Sequence, residues 1–383
     1  MGQTIIWLVA SSLCFLSLWI VLPAPNLFFL RLAVGAPEVS PLLAVLSGLT
    51  LLLALWIYPK LPRPLIALLL STLVLSSSPL LQQPSAIARA EASLRAVFPK
   101  QEQLSTTPPF SLVNFFKGFS SPDVRVQTDI PFSEPTGVSL TLDLYQPAEA
   151  GQYPGVITIY GGGWSSGSPQ ANAQFSRFLA ARGYVVTAID YRHAPTYRFP
   201  AQLEDVQRAI AVVRDRAQAY EIDPNRISLV GWSAGAHLAM LAGFQSTVPI
   251  RSIINYYGPV DLTEGYTDLP TPDPIGVQQV LRTFMGGTPT ERPSAYRQAS
   301  PITYVTAAEP DTLPPLLLIY GGRDHVVEAR FGKALHNAIA QSQNQSVWIN
   351  IPWAEHAFDK IFNGVSNQLA LHFVERFLSQ TLL

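Results

Sequence analysis

A serine stands between two glycines in the segment Gly231-Trp-Ser-Ala-Gly235, directly after an apolar run at 227–230 and directly before a helix-like stretch. A strand that passes into a helix through so few residues makes a tight turn, in which bulky residues at 231 and 235 would clash with neighbouring backbone. The pentapeptide by itself is common enough to arise by chance. Its meaning therefore depends on the elements that surround it.

Predicted strands and helices alternate along the chain from about Asp123 onward. Alternating or β-rich apolar runs predict strands at 138–145, 155–160, 184–189, 227–230, 250–256, 316–320 and 346–351. Helical periodicity predicts helices at 173–182, 200–219, 234–245, 276–285, 329–341 and 367–378. This order predicts an α/β fold with a mostly parallel sheet covered by helices on both faces. Ligands of such folds bind at the carboxyl ends of the strands, and Ser233 follows one of these ends.

The N-terminal region is strongly apolar. The first 80 residues contain four charged side chains, namely Arg31, Glu38, Lys60 and Arg63. Three uncharged apolar stretches, each about long enough to cross a bilayer as a helix, lie at 5–22, 39–58 and 65–81. We therefore expect an α-helical transmembrane region with about three helices at 1–82, a linker at 83–122 and an α/β domain at 123–383.

Positive charges favour one orientation of these helices. Lys60 and Arg63 lie between the second and third stretches, which favours a cytoplasmic location for that loop and for the N-terminus. Arg31, in the first loop, favours the opposite orientation. On balance we expect a multi-pass integral membrane protein whose α/β domain lies on the non-cytoplasmic side of the membrane.

Composition restricts the partners of this chain. The net charge is −1 with 13% charged residues, and this lack of a basic excess argues against binding to nucleic acid. The single cysteine, Cys14, excludes an intrachain disulfide. Residues 112–119 contain Phe115, Phe116 and Phe119 and either form an interfacial segment or pack on the α/β domain. The sequence does not indicate an oligomeric state.

Ser233 is the candidate nucleophile. A strand–serine–helix junction with flanking glycines is the context of a nucleophile elbow, in which the serine hydroxyl is exposed on a strained turn. The first N–H groups of the following helix point toward negative charge that develops at the serine. The alternative is that Ser233 only caps that helix. Two further motifs favour the nucleophile.

The segment Tyr160-Gly-Gly-Gly-Trp164 follows the predicted strand at 155–160 and is the candidate oxyanion loop. A triple glycine lets the backbone approach a substrate and present N–H groups to it, although it also suits a flexible loop. In folds with this elbow, the oxyanion binds the N–H of the residue after the nucleophile and N–H groups of the loop after the third strand. Gly161, Gly162 and Ala234 are therefore the candidate oxyanion hole.

Asp324 and His356 are the candidate acid and base. Each lies on a loop at the end of a predicted strand, at 316–320 and 346–351 respectively. With Ser233 they occur in the chain order serine, acid, histidine, which is the order of this fold. Taken singly, an aspartate after glycine is a common turn residue and a lone histidine is usually structural.

Three other residues compete for the same roles. His237 lies one turn into the helix after the nucleophile, and we expect it to point elsewhere. His325 adjoins Asp324 and would be poorly placed to be oriented by it. Glu355 competes as the acid, but it adjoins His356 and cannot easily orient that ring.

Residues 123–380 resemble the α/β-hydrolase superfamily, particularly the carboxylesterase, feruloyl-esterase-like and kynurenine-formamidase-like enzymes allied to hormone-sensitive lipase. The motifs that carry the resemblance are Tyr160-Gly-Gly-Gly-Trp164, Asp190-Tyr-Arg-His-Ala-Pro195 with Phe199-Pro-Ala201, Gly231-Trp-Ser-Ala-Gly235, Gly322-Arg-Asp324 and His356-Ala-Phe358. The resemblance implies an α/β-hydrolase fold and a serine hydrolase that acts on carboxylic esters. One residue departs from the pattern, because Tyr160 stands where these families usually have a histidine that shapes the loop.

The implied mechanism uses His356 as the base that activates Ser233, Asp324 to orient the imidazole, and an acyl-serine intermediate. It needs no metal or cofactor. Trp164 either lines the substrate pocket or packs over the loop, and the helix predicted at 276–285 lies where related enzymes insert pocket-forming elements. The expected substrate is a small-molecule or lipid-like ester, an envelope-glycan ester included. Acyl transfer, amide or peptide hydrolysis, and a non-catalytic binding module remain alternatives.

Overall fold

The computed structural model describes residues 2–99, 107–119 and 123–383. Its N-terminal helices are α1 (Gly2–Leu18), α2 (Leu27–Glu38), α3 (Ser40–Ile57) and α4 (Arg63–Val97). The later helices are α5 (Leu112–Lys117), α6 (Ala173–Ala180), α7 (Ala201–Asp215), α8 (Ala234–Phe244), α9 (Leu262–Thr267), α10 (Val277–Met285), α11 (Pro293–Gln298), α12 (Pro301–Thr306), α13 (Ala329–Gln341) and α14 (Val365–Leu382). Short 3₁₀ helices lie at Pro135–Gly137, Pro169–Asn172 and Phe358–Lys360.

A single eight-stranded sheet organises the residues from 123 onward. Its strands are β1 (Val124–Ser133), β2 (Leu140–Pro147), β3 (Tyr153–Ile159), β4 (Val185–Ile189), β5 (Ile222–Trp232), β6 (Ser252–Tyr256), β7 (Leu316–Gly321) and β8 (Ser346–Ile351). They lie in the order β1-β2-β4-β3-β5-β6-β7-β8. The pairs from β4 to β8 are parallel, whereas β1 with β2 and β2 with β4 are antiparallel. The expected mostly parallel sheet is therefore confirmed.

The central strands form the core because their side chains are apolar on both faces. Every residue of β4, β6 and β7 is buried, as expected for parallel strands with helices on each side. The edge strand β1 escaped prediction because only Phe132 of its ten residues is buried, so its sequence lacks the alternation that marks a strand. The other predicted strands and helices lie close to their expected positions, whereas the short helices α9, α11 and α12 were not predicted.

The carboxyl ends of four parallel strands position the candidate site. Ser233 follows β5, and the glycine loop at 161–163 follows β3. Asp324 follows β7, and His356 follows β8. Because parallel strands end at the same edge of a sheet, the topology brings these four segments together.

The N-terminal region differs from the expected three membrane-spanning stretches. Two of the described helices, α3 and α4, are long and apolar enough to cross a membrane. The first stretch forms the shorter helix α1, which ends at Leu18. Beyond it, the N–H groups of residues 19–21 donate to the carbonyl oxygens three residues earlier, which tightens the last turn. Pro23 and Pro25 follow within a few residues and prevent the helix from continuing. The additional helix α2 lies between the first two stretches.

The predicted linker at 83–122 begins too early. Helix α4 runs without a break from Arg63 to Val97, so residues 83–97 are helical. Ala86, Ala90 and Leu94 are buried against the α/β domain, and the backbone N–H of Trp348 in β8 donates to the Ser93 hydroxyl at 2.8 Å. This packing stabilises the helix where sequence composition indicated a linker. Residues 100–106 and 120–122 of the predicted linker lie outside the described residues.

Packing on the α/β domain, one of the two interpretations of residues 112–119, is confirmed for Phe119. Phe119 packs on Phe178 of α6, with ring centroids 5.1 Å apart. Leu112, Val113 and Phe116 of α5 are instead 55%, 64% and 61% exposed. The segment therefore attaches to the domain at one end and presents apolar side chains at the other.

Candidate active site

Ser233 lies at a sharp turn between β5 and α8. Its φ of 51° and ψ of −119° belong to a sparsely populated region for a residue with a side chain, as in a nucleophile elbow. A Cβ atom at Gly231 would lie 2.4 Å from the carbonyl carbon of Gly235, and one at Gly235 would lie 2.1 Å from the carbonyl oxygen of Ile159. A larger residue at 231 would therefore force the turn open, and one at 235 would push the start of α8 away from the end of β3.

A chain of hydrogen bonds joins Ser233, His356 and Asp324. The His356 Nε2 atom is 3.0 Å from the Ser233 Oγ atom, and its Nδ1 atom is 2.8 Å from Oδ2 of Asp324. The other carboxylate oxygen of Asp324 accepts the backbone N–H groups of Val326 and Val327 at 2.8 and 2.7 Å. With Nδ1–H donated to the aspartate, Nε2 has a free lone pair that faces the serine hydroxyl.

The surroundings of His356 alter its basicity. Burial lowers the pKa of its imidazole, but the negative charges of Asp324, Glu355 and Asp359 outweigh burial and raise that pKa above the ordinary histidine value. Tyr257 packs against the ring, with centroids 4.5 Å apart, and donates its hydroxyl to Asp359. Sequence reasoning missed Tyr257, although its position directly after β6 at the same sheet edge was a usable signal.

The raised pKa of His356 predicts the pH dependence of any reaction in which this imidazole acts as the base for Ser233. A protonated imidazole cannot accept the serine proton, so kcat/KM should fall on acidification with an apparent pKa above the ordinary value of about 6.5. Glu355→Gln removes a charge that raises this pKa, so the acidic limb of the variant should lie at lower pH. Profiles of kcat/KM against pH for both proteins measure the shift. A limb below the ordinary histidine value in the wild type would contradict the assignment.

The competing histidines have other partners. Burial lowers the pKa of His237 to about 4; its Nε2 atom is 2.6 Å from the carbonyl oxygen of Ala299. His325 pairs with Glu355 at 2.6 Å through Nδ1, and this hydrogen bond raises its pKa. Within the described parts of the chain, neither ring has a hydrogen bond to Ser233. Glu355 thus forms a hydrogen bond with the His325 ring, whereas Asp324 forms one with the His356 ring.

The glycine loop lies directly against the elbow. A Cβ atom at Gly161 would lie 3.1 Å from the Cβ atom of Ser233, and one at Gly162 would lie 2.1 Å from the carbonyl oxygen of Ser166. Gly162 also has a φ of +139°, which disfavours any side chain. No described residue accepts a hydrogen bond from the N–H of Gly161, Gly162 or Ala234, and all three residues line the cavity beside Ser233. Free N–H groups in this position are suited to bind an oxyanion.

Tyr160 holds the glycine loop by hydrogen bonds to residues that follow the end of β4. Its hydroxyl donates to Oδ1 of Asp190 at 2.5 Å and lies 2.8 Å from Nε2 of His193. Its ring stacks on Tyr191, with centroids 4.5 Å apart. Burial raises the pKa of Tyr160, so the hydroxyl stays protonated and remains a donor. Tyr160 thus anchors the start of the glycine loop through its hydroxyl and its ring.

Trp164 lines the cavity and packs against helix α10. Its side chain is only 3% exposed and stacks on Phe284 of α10, with centroids 4.2 Å apart. Its indole N–H donates to Nδ1 of the neutral His237 at 3.2 Å. His237, the discarded candidate base, thus fixes a wall of the cavity.

A cavity of about 510 Å³ opens in front of Ser233 and His356. Its walls are mostly apolar and include Val260, Leu281 and Val327 of the α/β domain. Leu27 and Leu30 of α2 complete it, and no sequence signal pointed to them, because they lie in an apolar region far from the motifs. Within residues 2–99, 107–119 and 123–383, no group of three or more His, Cys, Asp or Glu side chains is arranged to hold a metal ion.

Comparison with known proteins places this site in context. The model of the BD-FAE family matches residues 142–339. Esterase LipC of Mycobacterium tuberculosis is 33% identical over 258 residues, which cover 62% of each chain. The probable isoprenylcysteine alpha-carbonyl methylesterase ICMEL1 of Oryza sativa subsp. japonica is 30% identical over 217 residues, which cover 52% of this chain and 50% of the relative. The match thus spans about three-fifths of LipC and half of ICMEL1.

A solved structure shows the same fold. The hyperthermophilic esterase of the archaeon Pyrobaculum calidifontis superposes with a TM-score of 0.60 at 22% sequence identity, over 79% of this chain and 94% of that protein. At this identity the likeness concerns the fold alone. It confirms the α/β-hydrolase fold that the motifs of residues 123–380 implied.

Proposed function

The chain belongs to the BD-FAE family, within the carboxylesterase group of α/β-hydrolases, and from this premise we propose that it is a membrane-anchored serine esterase. The observation that carries the proposal is the hydrogen-bonded chain from Ser233 through His356 to Asp324, at the end of a strained elbow. Both curated relatives are named as esterases, which supports a carboxylic ester as the substrate class.

In the proposed mechanism, His356 takes the proton of Ser233 while the serine oxygen attacks the ester carbonyl carbon. Asp324 holds the Nδ1–H tautomer and stabilises the imidazolium that forms. The N–H groups of Gly161, Gly162 and Ala234 bind the tetrahedral oxyanion, and one such donor lowers the barrier by about 3–4 kcal/mol. His356 then gives its proton to the leaving alcohol, and an acyl-serine remains.

Deacylation repeats the same proton transfers with water. A water molecule attacks the acyl-serine, and His356 accepts its proton. Collapse of the second tetrahedral species returns the proton to Ser233 and releases the carboxylic acid. Each step uses side chains and backbone N–H groups of this chain.

Covalent labelling tests this function. The full chain in detergent, incubated with a fluorophosphonate probe, should bind one probe per molecule at Ser233 and lose its activity toward p-nitrophenyl butyrate in parallel. The phosphonate takes the place of the ester carbonyl, so labelling requires both an activated serine and donors for its oxygen. Folded protein that neither reacts with the probe nor hydrolyses the ester would sink the proposal and favour a binding module.

The proposed membrane anchor comprises α1, α3 and the first part of α4, within residues 1–82, and the catalytic domain comprises residues 123–383. Large apolar side chains on these helices face outward, including Leu8, Leu52 and Val74, which are 64%, 64% and 66% exposed. Surfaces of this kind suit contact with lipid. Tyr58 donates its hydroxyl to the carbonyl oxygen of Gln3, so the N-terminus lies beside the loop that carries Lys60.

This arrangement predicts the sidedness of the protein. Lys60 and Arg63 favour a cytoplasmic loop, so the catalytic domain should lie on the opposite side of the membrane. In a Cys14→Ser background, an impermeant maleimide applied to intact cells should label Ala219→Cys in the catalytic domain but not Pro59→Cys in the loop. Both variants should react after permeabilisation. Labelling of the loop variant alone in intact cells would reverse the orientation.

A further inference from the structure

Helix α2 forms part of the wall of the cavity that contains Ser233. Leu27 and Leu30 of this helix line the same cavity as Ser233 and His356. Leu27 is also 53% exposed, so it lies at the rim, where the cavity meets the molecular surface. The catalytic cavity is therefore completed by a helix that the chain places between two apolar helices of the proposed anchor.

Contacts on both sides of α2 hold it against the α/β domain. Before the helix, Arg323 donates a hydrogen bond to the carbonyl oxygen of Val21. At its C-terminal end, the buried carboxyl group of Glu38 accepts the N–H of Ser366 of α14 at 2.8 Å. Since Arg323 directly precedes Asp324, α2 is connected to the loop that carries the candidate acid.

An apolar cluster continues from the N-terminal helices into the cavity wall. Its buried members are Leu13, Trp19, Ile20, Ala24, Leu30, Ala33, Ala36 and Leu43. Ile275 and Val326 of the α/β domain pack against this cluster and also line the cavity. The interior of the helical region and the lining of the cavity are thus one continuous apolar surface.

The surface beside the rim is apolar as well. Phe28, next to Leu27, is 65% exposed, and Leu22, just before the helix, is 42% exposed. At 12 residues α2 is too short to cross a bilayer, but it directly precedes α3, whose length and hydropathy suit a membrane span. With α3 as a span of the proposed anchor, the rim would lie where the spans leave the hydrocarbon core. A group of exposed large apolar residues at this level fits the interfacial zone of a bilayer.

We propose that the cavity takes its substrate from the bilayer, as an amphiphilic ester whose hydrocarbon chain lies against Leu27 and Leu30 while its carbonyl carbon reaches Ser233. The inference rests on the proposed function, because it assumes that Ser233 attacks an ester and that the N-terminal helices anchor the chain in a bilayer. A substrate held in the interface reaches the rim without crossing water. Each methylene buried against the apolar wall raises kcat/KM by up to about four-fold.

The test compares two esters on the full chain in phosphatidylcholine nanodiscs. For the wild type, kcat/KM for p-nitrophenyl dodecanoate should exceed that for p-nitrophenyl butyrate. Leu27→Glu places a carboxylate where the longer chain would lie, and this should lower the dodecanoate-to-butyrate ratio of kcat/KM by about ten-fold, equivalent to about two lost methylene contacts. Leu81→Glu is the matched control, because Leu81 of α4 is 75% exposed and is not among the residues that line the cavity. This control should keep the wild-type ratio.

The outcomes separate the two proposals. If the wild type hydrolyses neither ester and no fluorophosphonate labels Ser233, the esterase function itself is wrong. If the wild type hydrolyses butyrate but does not prefer dodecanoate, the esterase stands and the bilayer substrate is wrong. The bilayer substrate is equally wrong if Leu27→Glu and Leu81→Glu change the ratio to the same extent.

Discussion

Ser233→Ala is expected to lower kcat for p-nitrophenyl butyrate hydrolysis by about 10⁶-fold, with little change in KM, and to abolish fluorophosphonate labelling. The effect is large because the hydroxyl 3.0 Å from His356 Nε2 is the proposed nucleophile. The oxyanion donors and the cavity remain in the variant, so a small residual rate above the uncatalysed reaction should persist. Steady-state kinetics and gel fluorescence of the labelled protein measure both effects.

Ser165 provides the matched control for this experiment. It lines the same cavity, but its hydroxyl donates to the carbonyl oxygen of Gly162. Ser165→Ala should therefore retain covalent labelling, whereas Ser233→Ala should not. Labelling that persists in Ser233→Ala and disappears in Ser165→Ala would show that Ser165, and not Ser233, is the nucleophile.

Asp324→Asn is expected to lower kcat by about 10⁴-fold while the protein stays folded. The asparagine carbonyl can still accept the N–H groups of Val326 and Val327, so the loop is retained. Its amide would donate toward Nδ1 of His356, which favours the tautomer that carries its proton on Nε2. In that tautomer the imidazole cannot accept the serine proton.

Glu355→Gln is the matched substitution at the competing acid. Glu355 holds His325 through Nδ1 and accepts the backbone N–H of His356, but it has no hydrogen bond to the His356 ring. Its loss should lower kcat by orders of magnitude less than the loss of Asp324. Circular dichroism and thermal inactivation of both variants check that folding is preserved. Equal losses in kcat would mean that the acid cannot be assigned to Asp324 alone.

Local patterns were sufficient to predict most of the α/β domain. Buried parallel strands are short apolar runs, and amphipathic helices repeat their apolar residues at helical spacing. Both can therefore be recognised from the local sequence pattern. The residues of the candidate site were also recognisable. A strained elbow and a close backbone approach demand glycine at 231 and 235, and the chain order of Ser233, Asp324 and His356 follows from the strand order.

Long-range packing decided the features that the sequence left open or indicated wrongly. Composition marked residues 83–97 as linker, but burial of Ala86, Ala90 and Leu94 on the α/β domain extends α4 through them. The choice between Asp324 and Glu355 depends on which carboxylate reaches Nδ1 of His356, and neighbours in sequence carry no information about that distance.

The wall of the cavity is a second feature that long-range packing decided and local sequence patterns did not indicate. The local sequence identifies the apolar residues at 27 and 30 only as part of a hydrophobic N-terminal region. No local pattern relates them to Ser233, which lies far away in the chain. Tertiary structure places Leu27 and Leu30 in the wall of the cavity that contains Ser233, since contacts such as Glu38 with Ser366 join segments far apart in the chain. The sequence by itself determined most strands and the longer helices of the α/β domain, the elbow and the order of the candidate triad, whose signals are local. Only the folded chain decided which side chains face one another and which helix completes the cavity, because those depend on contacts that no short segment contains.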